Sequence, residues 1–141
     1  MAFRRYFGGK TKSRSGFEEK IKKDLEGRGI AFEYEKHTLI YVKRYCPHCL
    51  KVVDTGTYTP DFVIQRVVGV RLVVESKGHF DSEDRTKMLL VKKNNPLCDI
   101  RMLFQRDQPI RKGSKTFYST WAAKHGFPYA IGISIPEGWL K

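Results

Sequence analysis

Asp61, Glu75 and Lys77 are the residues whose types and spacing first suggest chemistry. They lie in TYTPDFVIQRVVGVRLVVESKGHF, residues 57–80, which reads as a β-hairpin. Folding the run about Val68 makes paired residue numbers sum to 136, so Asp61 falls opposite Glu75. Facing Cβ atoms in such a pair are about 4.5–5.5 Å apart, and like charges there cost stability. Glu75 and Lys77 are two apart and share a face, whereas Val74 and Ser76 are expected to point the other way. The plain reading is a surface salt-bridge cluster in which Lys77 neutralises one acid. The sharper reading is a divalent cation such as Mg²⁺, which takes oxygen ligands and turns facing carboxylates into an asset.

Around this hairpin the chain supplies the elements of one mixed α+β domain. Its 141 residues suffice to bury a core without staples. The balance of 27 Lys and Arg against 15 Asp and Glu, a net charge of +12, attracts polyanions, with nucleic acid the expected partner. No apolar run approaches the roughly 18 residues of a membrane span, and no basic amphipathic helix with a wide apolar face suggests a lipid surface. The start lacks the apolar stretch of a signal peptide, so the expected location is cytoplasmic. An odd number of cysteines, three, agrees with a reducing compartment.

Residues 1–14 carry Arg4, Arg5, Lys10, Lys12 and Arg14 with no acid and read as a flexible basic arm that orders on phosphates, or as a passive tail. Ser15-Gly-Phe-Glu18 fits a capping box that opens a helix with Phe17, Ile21 and Leu25 on one face, stopped by Gly27 and Gly29. IAFEYEKHTLIYV, residues 30–42, alternates as one long strand. The polar stretch 43–56 separates it from the hairpin. Asp81 or Ser82 caps a second helix running to about Asn95; DIRMLF, 99–104, is a short strand; a last helix begins at Thr116 and closes at Gly126. A mixed β-sheet flanked by helices follows from this order. On the second helix Arg85, Lys87, Lys92 and Lys93 either line phosphates or form a solvated face, and His79, two residues past Lys77, either touches substrate or is structural.

Pro60-Asp61, thirteen residues and Glu75-Ser76-Lys77 form the PD…ExK pattern of a nuclease superfamily that includes restriction enzymes and junction resolvases. RSGFEEK (14–20), FEYE (32–35), TYTPDF (57–62), ESKG (75–78), SEDR (82–85), DIRMLF (99–104), KGS (112–114) and KHG (124–126) occur in this order. From Arg14 onward the chain closely resembles the phage endonuclease I family, Holliday-junction resolvases of the T-odd podoviruses. The resemblance implies a restriction-endonuclease-like PD-(D/E)XK core over 15–141 and a domain-swapped homodimer in which the first helix and strand cross to the partner.

It further implies an active site of Glu18, Asp61, Glu75 and Lys77. One or two Mg²⁺ or Mn²⁺ ions would be held by Asp61 and Glu75, with Glu18 on a second ion or an outer water. The activity implied is hydrolysis of four-way and other branched DNA to 5′-phosphate and 3′-hydroxyl ends, in the host cytoplasm if the chain is phage-encoded. Among the basic residues, the arm together with Arg85 and Lys87 would bind DNA. A related nuclease with another DNA substrate (nicking, restriction-like or transposon-end) and a non-catalytic DNA-binding protein are the alternatives.

One segment departs from the family pattern. The bridge at about 43–56 is longer than expected and holds Cys46-Pro-His-Cys49. The pair is read as two reduced thiols in a loop, as part of a zinc site, or, more remotely, as a redox pair. Two ligands are half of a structural zinc set, so two copies at a symmetry axis would give Cys₄. Cys98 is expected in the core, a Cys46/Cys49/Cys98/His set being the alternative.

Overall fold

The computed structural model describes residues 16–67 and 69–141. The basic arm, with Arg4, Arg5, Lys10, Lys12 and Arg14, the capping Ser15, and Val68 at the fold-back lie outside the described residues. The elements are α1 (Gly16–Gly27), β1 (Phe32–Tyr34), β2 (Leu39–Tyr45), β3 (Val52–Tyr58), β4 (Phe62–Ile64), β5 (Leu72–Lys77), α2 (Ser82–Asn94), β6 (Asp99–Phe104), α3 (Tyr118–Lys124), β7 (Tyr129–Ile131) and a 3₁₀ turn at Glu137–Trp139.

Five strands form a central sheet in the order β1-β4-β5-β6-β7. β1, β4 and β5 run antiparallel; β5, β6 and β7 run parallel, with α2 and α3 in the two connections. Alternation along the strands sends side chains to two cores. Phe62, Ile64, Leu72, Val74 and Leu103 pack beneath Phe17, Ile21 and Leu25 of α1, with Ile135 and Trp139 closing that layer. Val63, Val73, Ile100, Met102 and Phe104 meet Met88 and Val91 of α2 and Tyr118, Trp121 and Ala122 of α3 on the other face. Buried on both sides, β5 exposes almost nothing from Leu72 to Ser76, as expected of a strand covered by helices.

The hairpin register is the one predicted: Phe62 pairs with Val74, Val63 with Val73 and Ile64 with Leu72. The second helix is also as expected, with Asp81 at the N-cap accepting from the Asp84 backbone N–H at 2.8 Å. The last helix is shorter than expected, beginning at Tyr118.

Two expectations need correction. The single strand 30–42 is broken, because Glu35 takes a left-handed backbone (φ 48°) that ends β1 and redirects the chain. The stretch 43–56, read as a polar interruption, contains the end of β2 and most of β3. These two strands pair with each other as a separate antiparallel ribbon whose turn is Cys46–Cys49. The base of the ribbon packs on α2 through Leu39 and Tyr41. At Gly56 any Cβ would lie 2.6 Å from the Tyr41 ring, so glycine is required for that ring to lie across the ribbon.

Candidate active site

The β4–β5 ladder ends at the Phe62–Val74 pair, and the chemistry is gathered just beyond it. Glu75 continues the face of Val73 towards α2, while Ser76 continues that of Leu72 and Val74 towards α1. Asp61 has left the ladder, and its Oδ2 accepts from the Ser76 backbone N–H (2.9 Å) and hydroxyl (2.7 Å). Ser76 therefore turns towards the site and fixes one of its acids. The expectation that it points elsewhere holds for its face of the sheet but misses that Asp61 reaches round the strand end to meet it.

Glu75 is buried, yet each oxygen has a partner. Oε2 accepts from the Tyr58 hydroxyl at 2.5 Å, and Oε1 lies 3.1 Å from Lys77 Nζ. Burial, reinforced by the charge of Asp61, pushes the Glu75 carboxyl up to about 7, although Lys77 and Tyr58 oppose the shift. Burial also raises Asp61; Ser76 and Lys77 counter this and Glu18 adds to it. Lys77 bridges Glu75 to Asp84 Oδ1 at 3.2 Å. Burial disfavours its charge, but the two carboxylates outweigh that and hold the amine above its ordinary range. Tyr58 is likewise raised, first by burial and then by Glu75.

Glu18 stands on α1, at the other face of the sheet, where the Tyr34 hydroxyl donates to it. Lys22 on the next turn of α1 lies 3.4 Å above the Tyr34 ring. The α1 packing of Phe17, Ile21 and Leu25 sets that position, and Glu18 is felt electrostatically by Asp61. The four expected residues thus gather at one sheet end: Asp61 interacts with both faces, Glu18 comes from one, and Glu75 with Lys77 from the other. Tyr34, Tyr58, Ser76 and Asp84 were missed. The only sequence signal for them is proximity to the motifs, as in T-Y-T-P-D and S-E-D-R.

The basic residues of α2 divide. Arg85 donates to the carbonyls of Phe80 (2.7 Å) and Ile110 (3.2 Å), tying two loops together, and Lys92 donates to the Gly126 carbonyl at 2.9 Å. Lys87 borders a groove of about 420 Å³ with Tyr41, Lys43, Ser82, Glu83, Thr86 and Leu90, and Lys93 is exposed. His79 is exposed on the loop after β5. Among the described residues no three or more His, Cys, Asp or Glu side chains are grouped to hold a metal, so any ion at the sheet end relies on the Asp61–Glu75 pair.

A buried carboxylate pair with a lysine, at the end of a sheet in a strongly basic chain, is an arrangement compatible with chemistry on a polyanion. Comparison with known sequences narrows it. The family described as phage endonuclease I matches residues 1–141. The chain is 40% identical over 129 residues to Endonuclease I of Escherichia phage T7, covering 91% of this chain and 78% of that protein. It is 39% identical over 129 residues to Endodeoxyribonuclease 1 of Enterobacteria phage T3, covering 91% and 76%. The protein is a DNA endonuclease and belongs to the phage endonuclease I family.

Proposed function

We propose that this endonuclease is metal-dependent and structure-selective, cutting four-way junctions and other branched DNA by phosphodiester hydrolysis. The observation that carries the chemistry is the convergence of Asp61, Glu75 and Lys77 at one end of the central sheet. The buried pair suits magnesium, a hard cation that keeps several waters and is usually bound by one or two carboxylates together with substrate phosphates. Asp61 and Glu75 would hold it, with Glu18 assisting from α1. A divalent cation bound there supplies a more acidic water and neutralises charge on the phosphate.

The chain's own residues do the rest. Ser76 fixes the Asp61 carboxylate, and Tyr58 fixes that of Glu75. Lys77, held by Glu75 and Asp84, aims a cation at the charge that develops on the phosphate oxygens, leaving 5′-phosphate and 3′-hydroxyl ends. Basic side chains along the substrate path neutralise backbone phosphates, with the arm, Lys43 and Lys87 as contributors.

Resolution of a four-way junction needs two cuts, which a two-fold dimer supplies. We read that dimer as exchanged, with the first helix and strand of one chain crossing to the partner and Glu18 serving the partner's carboxylate pair. Cleavage of a four-way junction compared with its linear arms tests the substrate: equal cutting of both replaces the junction reading with a nuclease of another DNA class. Mixed dimers of Glu18→Ala and Asp61→Ala test the exchange. An exchanged dimer regains one intact site and nicks one strand, whereas sites built within single chains stay inactive.

A further inference from the structure

The Cys46-Pro-His-Cys49 turn takes no part in the chemistry described above. It caps the ribbon, closed by the Cys46 N–H to Lys51 carbonyl bond (2.8 Å) and the Leu50 N–H to Cys46 carbonyl bond (2.9 Å). Hydrogen bonding from the Cys49 and His48 backbone and from the Cys49 thiol holds the Cys46 thiol below its ordinary range. Two cysteines three residues apart in one short turn, closed by backbone hydrogen bonds, are placed to act as a bidentate thiolate chelate for a soft or borderline cation.

The chain cannot complete that chelate itself. Zinc in a structural site takes four ligands, almost always tetrahedral. Residues 1–15 contain no His, Cys, Asp or Glu. Among the described residues no third such side chain joins the pair, and Cys98 packs against the core between α2 and β6. The missing ligands must come from a second molecule.

The surroundings say which molecule. Beside the turn, Tyr45, Leu50, Val52 and Val53 are exposed, Leu50 at 74%, an apolar surface at the end of a basic ribbon. A second copy brings the same pair of sulfurs and the same apolar side chains, and a two-fold axis through the tip makes the surface self-complementary. We propose that Cys46 and Cys49 of two chains jointly bind one zinc ion as a four-cysteine site that clasps the dimer through its ribbon tips. Binding releases the four thiol protons and leaves a tetrathiolate centre of charge −2, which Lys43, Arg44 and Lys51 of each exposed tip offset. The inference does not rest on the catalytic reading, because the clasp and the carboxylates are separate sites.

Zinc content of the reduced full-length protein tests it. Half an equivalent per chain is expected, lost in both Cys46→Ser and Cys49→Ser and retained in Cys98→Ser and His48→Ala. Co²⁺ added to the metal-stripped protein should give the sulfur-to-metal charge-transfer band of a four-sulfur site at the same stoichiometry. Sedimentation of Cys49→Ser should show dimer dissociation weakened by loss of the clasp, the dissociation constant rising roughly tenfold or more, with circular dichroism unchanged. Reduced protein without zinc, one equivalent per monomeric chain, or loss of zinc in Cys98→Ser or His48→Ala each overturns the proposal.

Discussion

The end of the central sheet and the tip of the ribbon both crowd groups that repel or react, but they are provided for in opposite ways. At the sheet end every polar atom that burial would strand has a partner from within the chain: Tyr58 and Lys77 on Glu75, Ser76 on Asp61, Asp84 on Lys77. Two packed cores hold those partners in place, so the arrangement is over-determined and retains its charge crowding as stored strain. Among the described residues no core cluster includes a residue of the tip from Tyr45 to Val53. Its thiols are oriented only by their own turn, and its neighbours Tyr45, Leu50, Val52 and Val53 remain exposed. If each takes a cation as proposed, one region does so because the fold pays for the crowding and the other because it is left unfinished.

The largest effect expected is at the sheet end. Asp61→Asn or Glu75→Gln should lower cleavage by roughly three orders of magnitude while junction binding persists and metal-free thermal stability stays equal or rises. If either variant unfolds, the carboxylates are a structural salt bridge and the contrast with the tip disappears. Next comes the pH dependence of metal-free stability. Glu75 titrates near 7 in the fold against an ordinary value of 4.5, so the folded state binds its proton more tightly. Stability should be full below about 4.5 and decline as pH rises to about 7, by about 3 kcal/mol. Denaturant titrations across that range check it, and Glu75→Gln should flatten the profile. Asp61 and Lys77, which face Glu75, stay in place in that variant.

Asp84→Asn should lower kcat about tenfold with little change in KM, since it loosens a lysine without removing it. Because Asp84 helps to hold the amine above its ordinary range, the basic limb of the pH–rate profile should move down. An unchanged profile would mean that Asp84 only shapes α2. The smallest effect is expected at the tip. Leu50 has a left-handed backbone (φ 59°), a conformation that costs a non-glycine residue about 1 kcal/mol or more. Leu50→Gly should therefore stabilise zinc-free protein by about 1 kcal/mol in urea unfolding without altering cleavage. A change in cleavage would show that the tip and the carboxylates are coupled.

Much of the sheet end was legible in the sequence because the β period is short and strict. Phe62–Ile64 and Leu72–Val74 are short apolar runs buried on both faces, and folding the run back so that Asp61 meets Glu75 was enough to read their register. The break at Glu35 was not recognised, since the segment on both sides of it is rich in aromatic and β-branched residues while the backbone turns away. β3 was missed because VVDTGTY buries only Tyr58 and so carries no apolar period. Tyr34, Ser76 and Asp84 were missed for another reason: their roles arise from contacts across the sheet end, which local spacing does not encode. The cysteine pair was recognised, but its position at a ribbon tip required knowing that β2 and β3 pair.

The site is also assembled from contacts of very different reach along the chain. Asp61 and Glu75 are joined by a local hairpin, and Asp84 follows on the next helix, whereas Glu18 arrives only when α1 docks on strands far along the sequence. Local closure is cheap in chain entropy and long-range docking is not, so the two acids are expected to meet early in folding and the third late. Folding must then cross its barrier with the Asp61–Glu75 repulsion already in force. Refolding should accelerate as the pH is lowered towards the range where Glu75 is protonated, with unfolding rates changing less. The charge pair proposed to serve the substrate would in this way also set the speed at which the enzyme comes into being.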